Sequence, residues 1–246
     1  LVEIKPNERV DELFNTPLKV IQSKDYFAFS LDAVLLANFV YVPIQRGKLI
    51  DLCTGNGAIP FILSTRTKGE ITGIEIQQEI YDLAERSNRL NGLDTQINFI
   101  HDDIKNATHR FGRHQYDVVT CNPPYFKKEQ ARDQNINEHV AIARHEIHIT
   151  LEDVITISSS LVKQNGKVAL VHRPERLVEM ITFMKKVDLE PKRCQFVHPK
   201  QGKPANMVLI EAAYKGKPGL KVLPPIHVYD DKGHYTKEVW PSNERV

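Results

Sequence analysis

Asn122 ends the apolar, β-branched run "YDVVTCN" and is followed by Pro123, Pro124 and Tyr125. Prolines cannot donate ladder hydrogen bonds, so an interior strand must stop there. Asn122 and Tyr125 are thereby set on a stiff shelf at a strand's carboxyl end. The chemistry this suits is alkylation of an exocyclic aromatic amine, a poor nucleophile because its lone pair is delocalised into the ring. Acceptors aimed at the amine hydrogens, the Asn122 side-chain oxygen and the Pro123 carbonyl, raise the electron density on nitrogen and hold it in line with an electrophile. Tyr125 offers a face on which a planar group can stack. The alkylated nitrogen is positive and sheds its proton readily, so the step requires neither metal nor histidine. Asn122, Pro123 and Tyr125 are the candidate catalytic residues.

A second constellation lies upstream in "DLCTGNGAIP", where a strand runs straight into a glycine loop and a helix follows. Gly55 and Gly57 permit a tight turn and close backbone approach, so a ligand can lie over the strand end and against the helix N-terminus. The spacing lacks the further glycine of a dinucleotide fingerprint and the GK[ST] of a P-loop, which supports neither NAD nor ATP. Glu75 ends the next strand, about 20 residues beyond the glycines, where an acid grips ribose hydroxyls in such folds. The third strand ends in "HDDI", so Asp102 or Asp103 can accept from an adenine amino group while Ile104 packs on its ring. Together these features outline a nucleoside-bearing ligand. The histidines His139, His145 and His148 include one i, i+3 pair, but no acid or cysteine completes a ligand set, so no metal is expected.

Positioning these groups is the task of an alternating chain. From residue 48 the runs "KLIDLC", "EITGIE", "INFIHDD", "YDVVTCN" and "GKVALVH" alternate with helical stretches, including Gln77 to Leu90, 151 to 163 and Glu175 to Lys186. Such spacing predicts an α/β, doubly wound, mostly parallel sheet covered by helices on both faces. "RCQFVHP" and "NMVLIEAAY" are joined only by the loop "KQGKPA", which predicts an antiparallel edge hairpin. Residues 126–147 are polar and weakly periodic and read as a lid or substrate loop. The Pro- and Gly-rich tail from Lys215 predicts an irregular extension with a small hairpin around "YDDKGHYT".

The 246 residues, 41% hydrophobic and 26% charged, suit one well-buried α/β domain or a domain with a small appendage. No apolar run approaches the roughly 20 residues of a membrane helix, and the opening residues lack a signal or transit pattern, so a cytoplasmic protein is expected. Cys53, Cys121 and Cys194 are odd in number and far apart, which predicts neither disulfides nor a CxxC metal pair. The net charge is only +2, yet residues 185–221 hold nine Lys/Arg against three acids, a local +6 that leaves −4 elsewhere. A basic face of that kind suits a phosphate backbone, as it also suits a merely solvated surface.

The ordered motifs "DLCTGNGAIP", "GIEI", "HDDI" and "NPPY" resemble those of class I S-adenosylmethionine-dependent methyltransferases, and NPPY resembles the enzymes that methylate adenine, guanine or glutamine amide nitrogens. "DYFAFSLDAVLLANFV", "ARHE", "ITLEDVI", "HRPERLVEM" and "VHPKQGKPANMVLIEA" are similar to the bacterial tRNA (adenine-6-amino) methyltransferases that modify valine tRNA beside its anticodon, over about residues 20 to 240. This resemblance implies a seven-stranded Rossmann-like sheet with S-adenosyl-L-methionine as cofactor and tRNA as partner. It implies that Gly55, Asn56 and Gly57 line the methionine part, that Cys53 and Thr54 of the same loop also bind the cofactor, and that Asp51 positions the loop. Glu75 with Ile76 would hold the ribose, Asp102 or Asp103 with Ile104 the adenine, and Phe29, Ser30 and Asp32 would close over the cofactor. Asn122 to Tyr125 would hold the base, and Asn122 would also contact the cofactor. The "CTGNG" loop departs from the commoner pattern, which carries a further small residue and Gly.

Residues 1–45 are then expected to cover the cofactor, 46–214 to form the methyltransferase domain and 215–246 to pack on it. Lys127, Lys128, Arg132 and Arg144 flank the pocket in sequence as candidate RNA contacts, in a monomer or weak homodimer. Alternatives within the same chemistry are a protein-glutamine N5 methyltransferase acting on release factors, disfavoured because only about 45 residues precede the glycine strand, or another rRNA or DNA amino-methyltransferase. A non-enzymatic RNA-binding scaffold is a third reading, against which intact Gly55, Gly57, Glu75 and Asn122 speak.

Overall fold

The computed structural model describes residues 2–13, 16–26, 29–125 and 149–239. The aliphatic runs read from the sequence become β3 (Lys48–Leu52), β4 (Glu70–Glu75), β5 (Ile97–His101) and β6 (Tyr116–Cys121), all parallel. β7 (Val162–His172) continues parallel to β6, and β9 (Met207–Tyr214) lies antiparallel between β7 and β8 (Leu189–Lys200). These seven strands stand in the order β8-β9-β7-β6-β3-β4-β5. The order reverses at β3, whose neighbours are β4 and β6, and a crevice opens there at the strands' carboxyl ends.

Period-two alternation divides the core between the two faces of the sheet. Leu49, Ile71 and Val118 pack on one side with α1 (Leu31–Phe39) and α2 (Ala58–Ser64). Ile50, Ile74 and Val119 pack on the other with α5 (Leu151–Leu161) and α6 (Leu177–Lys186). The remaining helices are α3 (Gln78–Asn91) and the short α4 (Ala107–Phe111). A Thr150–Asp153 capping box starts α5, with the Thr150 hydroxyl accepting from the Asp153 N–H at 3.2 Å and the Asp153 carboxylate accepting from the Thr150 N–H at 3.1 Å. α5 ends at Leu161 and β7 begins at once, four residues before the "GKVALVH" read from sequence; the register shift after Tyr116↔Val162 absorbs the early start.

The sheet is wider than seven strands. β10 (Lys221–Val222) and β11 (Ile226–Tyr229) both pair parallel with β8, so the β8–β9 hairpin is covered rather than left as an edge. Two- and four-residue strands among prolines carry too little alternation to be read in advance. The hairpin expected around "YDDKGHYT" is present as a Tyr229↔Tyr235 antiparallel bridge.

A separate β1 (Glu8–Glu12) and β2 (Lys19–Ser23) hairpin docks on α3. The Ile21 N–H donates to Ser87 Oγ at 2.9 Å and the Lys19 N–H to Asn91 Oδ1 at 2.8 Å, so helix side chains satisfy the strand's open side. Arg86 grips both carboxylate oxygens of Glu8, at 2.7 and 2.6 Å.

Candidate active site

The loop between β3 and α2 curls through three left-handed residues, Cys53 (φ 56°), Gly55 (φ 59°) and Gly57 (φ 88°). A Cβ on Gly57 would stand 2.6 Å from Phe99 Cζ and 2.9 Å from Phe61 Cε2, so the backbone lies flat on the core there. A Cβ on Gly55 would meet nothing within 4 Å, because open space lies over the loop. The non-glycine Cys53 in this conformation marks a strained turn held by its surroundings. Those surroundings are specific: the Thr54 N–H donates to the Ile74 carbonyl at 2.9 Å, and the Gly55 N–H donates to Glu75 Oε2 at 2.9 Å.

Asp51 lies under the loop with no exposure. Its carboxylate accepts from Thr54 Oγ1 at 2.7 Å and Thr120 Oγ1 at 2.6 Å, tying the loop to β6. Burial outweighs these two donors and pushes its pKa up to about 7, with the nearby Glu75 charge adding to the rise. Glu75 is also buried and raised by burial; its other oxygen accepts from the Gln77 N–H at 2.9 Å.

After β5, the two aspartates part. Asp102 accepts from the Asp103 N–H and from Asn106 Nδ2, both at 2.8 Å, and pairs with Arg110 at 3.3 Å. The Asn106 hydrogen bond in particular lowers its pKa. Asp103 caps the following turn, accepting from the Lys105 N–H at 2.9 Å, and faces the crevice beside the buried Ile104.

At the end of β6 the single hydrogen of the Tyr125 hydroxyl is shared between Asn122 Oδ1, at 2.7 Å, and the Asp32 carboxylate. Asp32 begins α1 and accepts also from the Ser30 hydroxyl and, at 3.0 Å, from the Ala33 N–H. Burial, then the Asp32 charge, push the Tyr125 phenol well above its usual range, so it remains a donor. Behind Tyr125 lies the fully buried His172, its ring 5.1 Å away. His172 Nδ1 accepts from the Arg173 N–H at 2.8 Å, which places the proton of the neutral ring on Nε2. Burial, with Arg176 and Arg173 nearby, pushes the His172 pKa down to about 3.

These elements enclose a cavity of about 410 Å³, within the range of small-molecule sites. Of the residues singled out from sequence, its wall contains Phe29, Ser30, Asp32, Cys53, Thr54, Gly55, Asn56, Glu75, Ile76, Asp103, Ile104, Asn122, Pro123 and Tyr125. Asp51, Gly57 and Asp102 stand outside it, the first two supporting the loop from below and the third turned toward α4. Gln77 and Arg173 also line it and were not among the sequence candidates. Both directly follow parallel strands or their first turn, the positional signal that marked Glu75 and Asn122.

Lys127, Lys128, Arg132 and Arg144, the 126–147 loop and the three histidines His139, His145 and His148 lie outside the described residues. The basic stretch 185–221 is divided by the topology and forms no single face. Lys185 pairs with Glu190, Lys186 with Glu152 at 3.2 Å, and Arg193 with the buried Glu211 at 2.7 Å. Lys200 and Lys203 stand at the opposite end of β8. Among the described residues, no helix is long and apolar enough to cross a membrane, and no group of three or more His, Cys, Asp or Glu is placed to hold a metal.

The family model of the methyltransferase small domain matches residues 30–150, from the Ser30–Asp32 cap through the NPPY shelf. The chain is an S-adenosylmethionine-dependent methyltransferase. A tRNA1(Val) (adenine(37)-N6)-methyltransferase of Photobacterium profundum is 27% identical over 217 residues, 86% of this chain and 87% of that one. Among solved structures, a "predicted O-methyltransferase" from Agrobacterium tumefaciens superposes with a TM-score of 0.66 at 23% identity, over 83% of this chain and 91% of its own. The geranyl diphosphate C-methyltransferase of Streptomyces coelicolor A3(2), in complex with S-adenosyl-L-homocysteine, superposes at 0.58 and 13% identity over 74% and 77% of the two chains. These likenesses match the methyltransferase's sheet.

The cavity fits S-adenosylmethionine on its own terms. Asn56 Nδ2 is a buried donor without a partner in the wall, as a ligand carboxylate would require. The space over Gly55 admits backbone approach, and Ile76 and Ile104 supply apolar surface beside the Asp103 carboxylate.

Proposed function

We propose that this methyltransferase methylates the exocyclic 6-amino group of an adenosine in tRNA, in the anticodon loop of valine tRNA. The observation that carries this reading is the Asn122–Tyr125–Asp32 constellation, which sits in one wall with the glycine loop. The name and coverage of the Photobacterium relative support the choice of tRNA.

The division of labour follows from the donors and acceptors. S-adenosylmethionine supplies a methyl group on positive sulfur, which departs as a neutral thioether. Asn56 holds the carboxylate end, Glu75 the ribose hydroxyls, and Asp103 with Ile104 the adenine. Phe29, Ser30 and Asp32 belong to residues 1–45, which we take as the segment covering the cofactor. Residues 46–214 carry the catalytic sheet and 215–246 its extension.

An amide oxygen has two lone pairs. Tyr125 occupies one on Asn122 Oδ1, fixing the rotamer, and leaves the other for an amine hydrogen; the Pro123 carbonyl takes the second hydrogen. The amine lone pair is thereby held toward the place the sulfonium methyl would occupy; C–N bond formation there would be balanced by loss of the C–S bond to the neutral thioether, and the excess proton would leave the nitrogen for solvent. An unpaired loop adenosine reaches such a pocket at lower unstacking cost than one in a duplex.

Asn122→Ala tests this directly. Single-turnover methyl transfer to tRNA should fall about 10²- to 10³-fold, with tRNA and S-adenosylmethionine affinities kept. An unchanged rate would remove Asn122 from the chemistry and the reading with it.

A further inference from the structure

β8 and β11 run parallel to β3, β4, β6 and β7, so Lys200 and Tyr229, which pair across the two strands, emerge on the same rim as Asn122 and Arg173. The path β6-β7-β9-β8-β11 is four strand spacings, on the order of 19 Å. At its far end lies a groove of about 700 Å³ whose walls include Lys200, Lys203, Tyr229 and Lys232. All three lysines are exposed, and among the described residues their ammonium groups have no acidic partner, unlike Lys185 and Lys186. The groove's two acids are Asp230 and Asp231; Asp230 is engaged by the Lys232 and His234 N–H groups, each at 2.9 Å.

The rings of Tyr229 and Tyr235 stack 5.0 Å apart and remain 39% and 41% exposed. Unpaired lysines beside partly exposed aromatic rings, at a fixed distance along the catalytic rim, match a nucleic-acid strand, whose phosphates take the cations and whose bases take the rings. We propose that this groove is a second RNA contact, which holds the strand leading away from the target adenosine. At roughly 3.4 Å per stacked nucleotide, the span corresponds to about five or six nucleotides. The contact therefore falls on nucleotides flanking the target whose bases are unpaired, as stacking on the rings requires.

This inference rests on the reading of the substrate as tRNA, and the test separates the two. Full-length enzyme, the triple variant Lys200→Ala/Lys203→Ala/Lys232→Ala and the single variant Tyr229→Ala are assayed on tRNA and on a short oligoribonucleotide carrying only the target adenosine and its nearest neighbours. With tRNA, the triple variant should raise KM tenfold or more, and its salt dependence should flatten by about one unit of slope per lysine. Tyr229→Ala should raise KM about fivefold or more. With kcat, S-adenosylmethionine affinity and KM for the oligonucleotide unchanged in both variants, the contact is established. An unchanged tRNA KM and salt slope, in an enzyme whose wild type methylates tRNA, would overturn the groove and leave the function standing. An equal loss on both RNAs would place the effect at the cavity and also overturn it. A wild type that methylates no RNA would overturn the parent reading instead.

Discussion

Two buried titratable groups bracket the active cavity and pull stability in opposite directions with pH. Asp51 has its pKa raised from 3.8 to about 7, so between those values the folded state holds a proton that the unfolded chain has lost. Its contribution to stability therefore falls as pH rises through that window, by at most about 1.4 kcal/mol per unit. His172 is lowered from 6.5 to about 3, so between those values the unfolded chain holds the extra proton and stability rises with pH. The two slopes offset each other where they overlap, and the whole protein conceals both. Thermal melts across this range should show Asp51→Asn losing the downward slope and His172→Gln losing the upward one; parallel profiles for wild type and variants would contradict the assignments. Strand ends marked Glu75 and Asn122 in the sequence because each follows an apolar run. The same rule could not choose between Asp102 and Asp103, since both follow β5, and only the hydrogen bonds from Asn106 and Arg110 show Asp102 turned away from the crevice.

At the scale of the element, the two loop glycines differ in what they spare. Gly57 combines φ 88° with a would-be Cβ 2.6 Å from Phe99, whereas Gly55 combines φ 59° with open space. Gly57→Ala should cost about 2 kcal/mol or more of stability, from left-handed strain plus displacement of the ring. Gly55→Ala should cost about 1 kcal/mol and instead weaken S-adenosylmethionine binding at least tenfold, because its methyl enters the ligand's space. Denaturant unfolding and cofactor titration of the two variants check this; equal destabilisation with equal affinity would contradict it. The parallel strands and their helices were legible because each carries a full period of alternation. The β1–β2 hairpin was not, because its open side is completed by Ser87 and Asn91 of α3, more than 60 positions along the chain. β10 and β11 owe their place to β8 rather than to any pattern of their own.

On the scale of the whole molecule, charge clustered in sequence is not charge clustered in space. Residues 185–221 run along β8 and back along β9, so their cations are delivered to opposite ends of the sheet, and several are consumed by Glu190, Glu152 and Glu211. What reaches the catalytic rim is Lys200 and Lys203, joined there by Lys232 from a distant segment. The sheet thus brings the glycine loop, the NPPY shelf and a basic groove to one edge, the arrangement that the proposed tRNA substrate, much larger than the cavity, requires. The most direct test of that account is transfer from methyl-labelled S-adenosylmethionine to total bacterial tRNA taken from cells lacking the activity, followed by nucleoside analysis. Label should be recovered as 6-methyladenosine from valine tRNA. Label in the glutamine of an added release factor, or none in RNA while the cofactor binds, would contradict it.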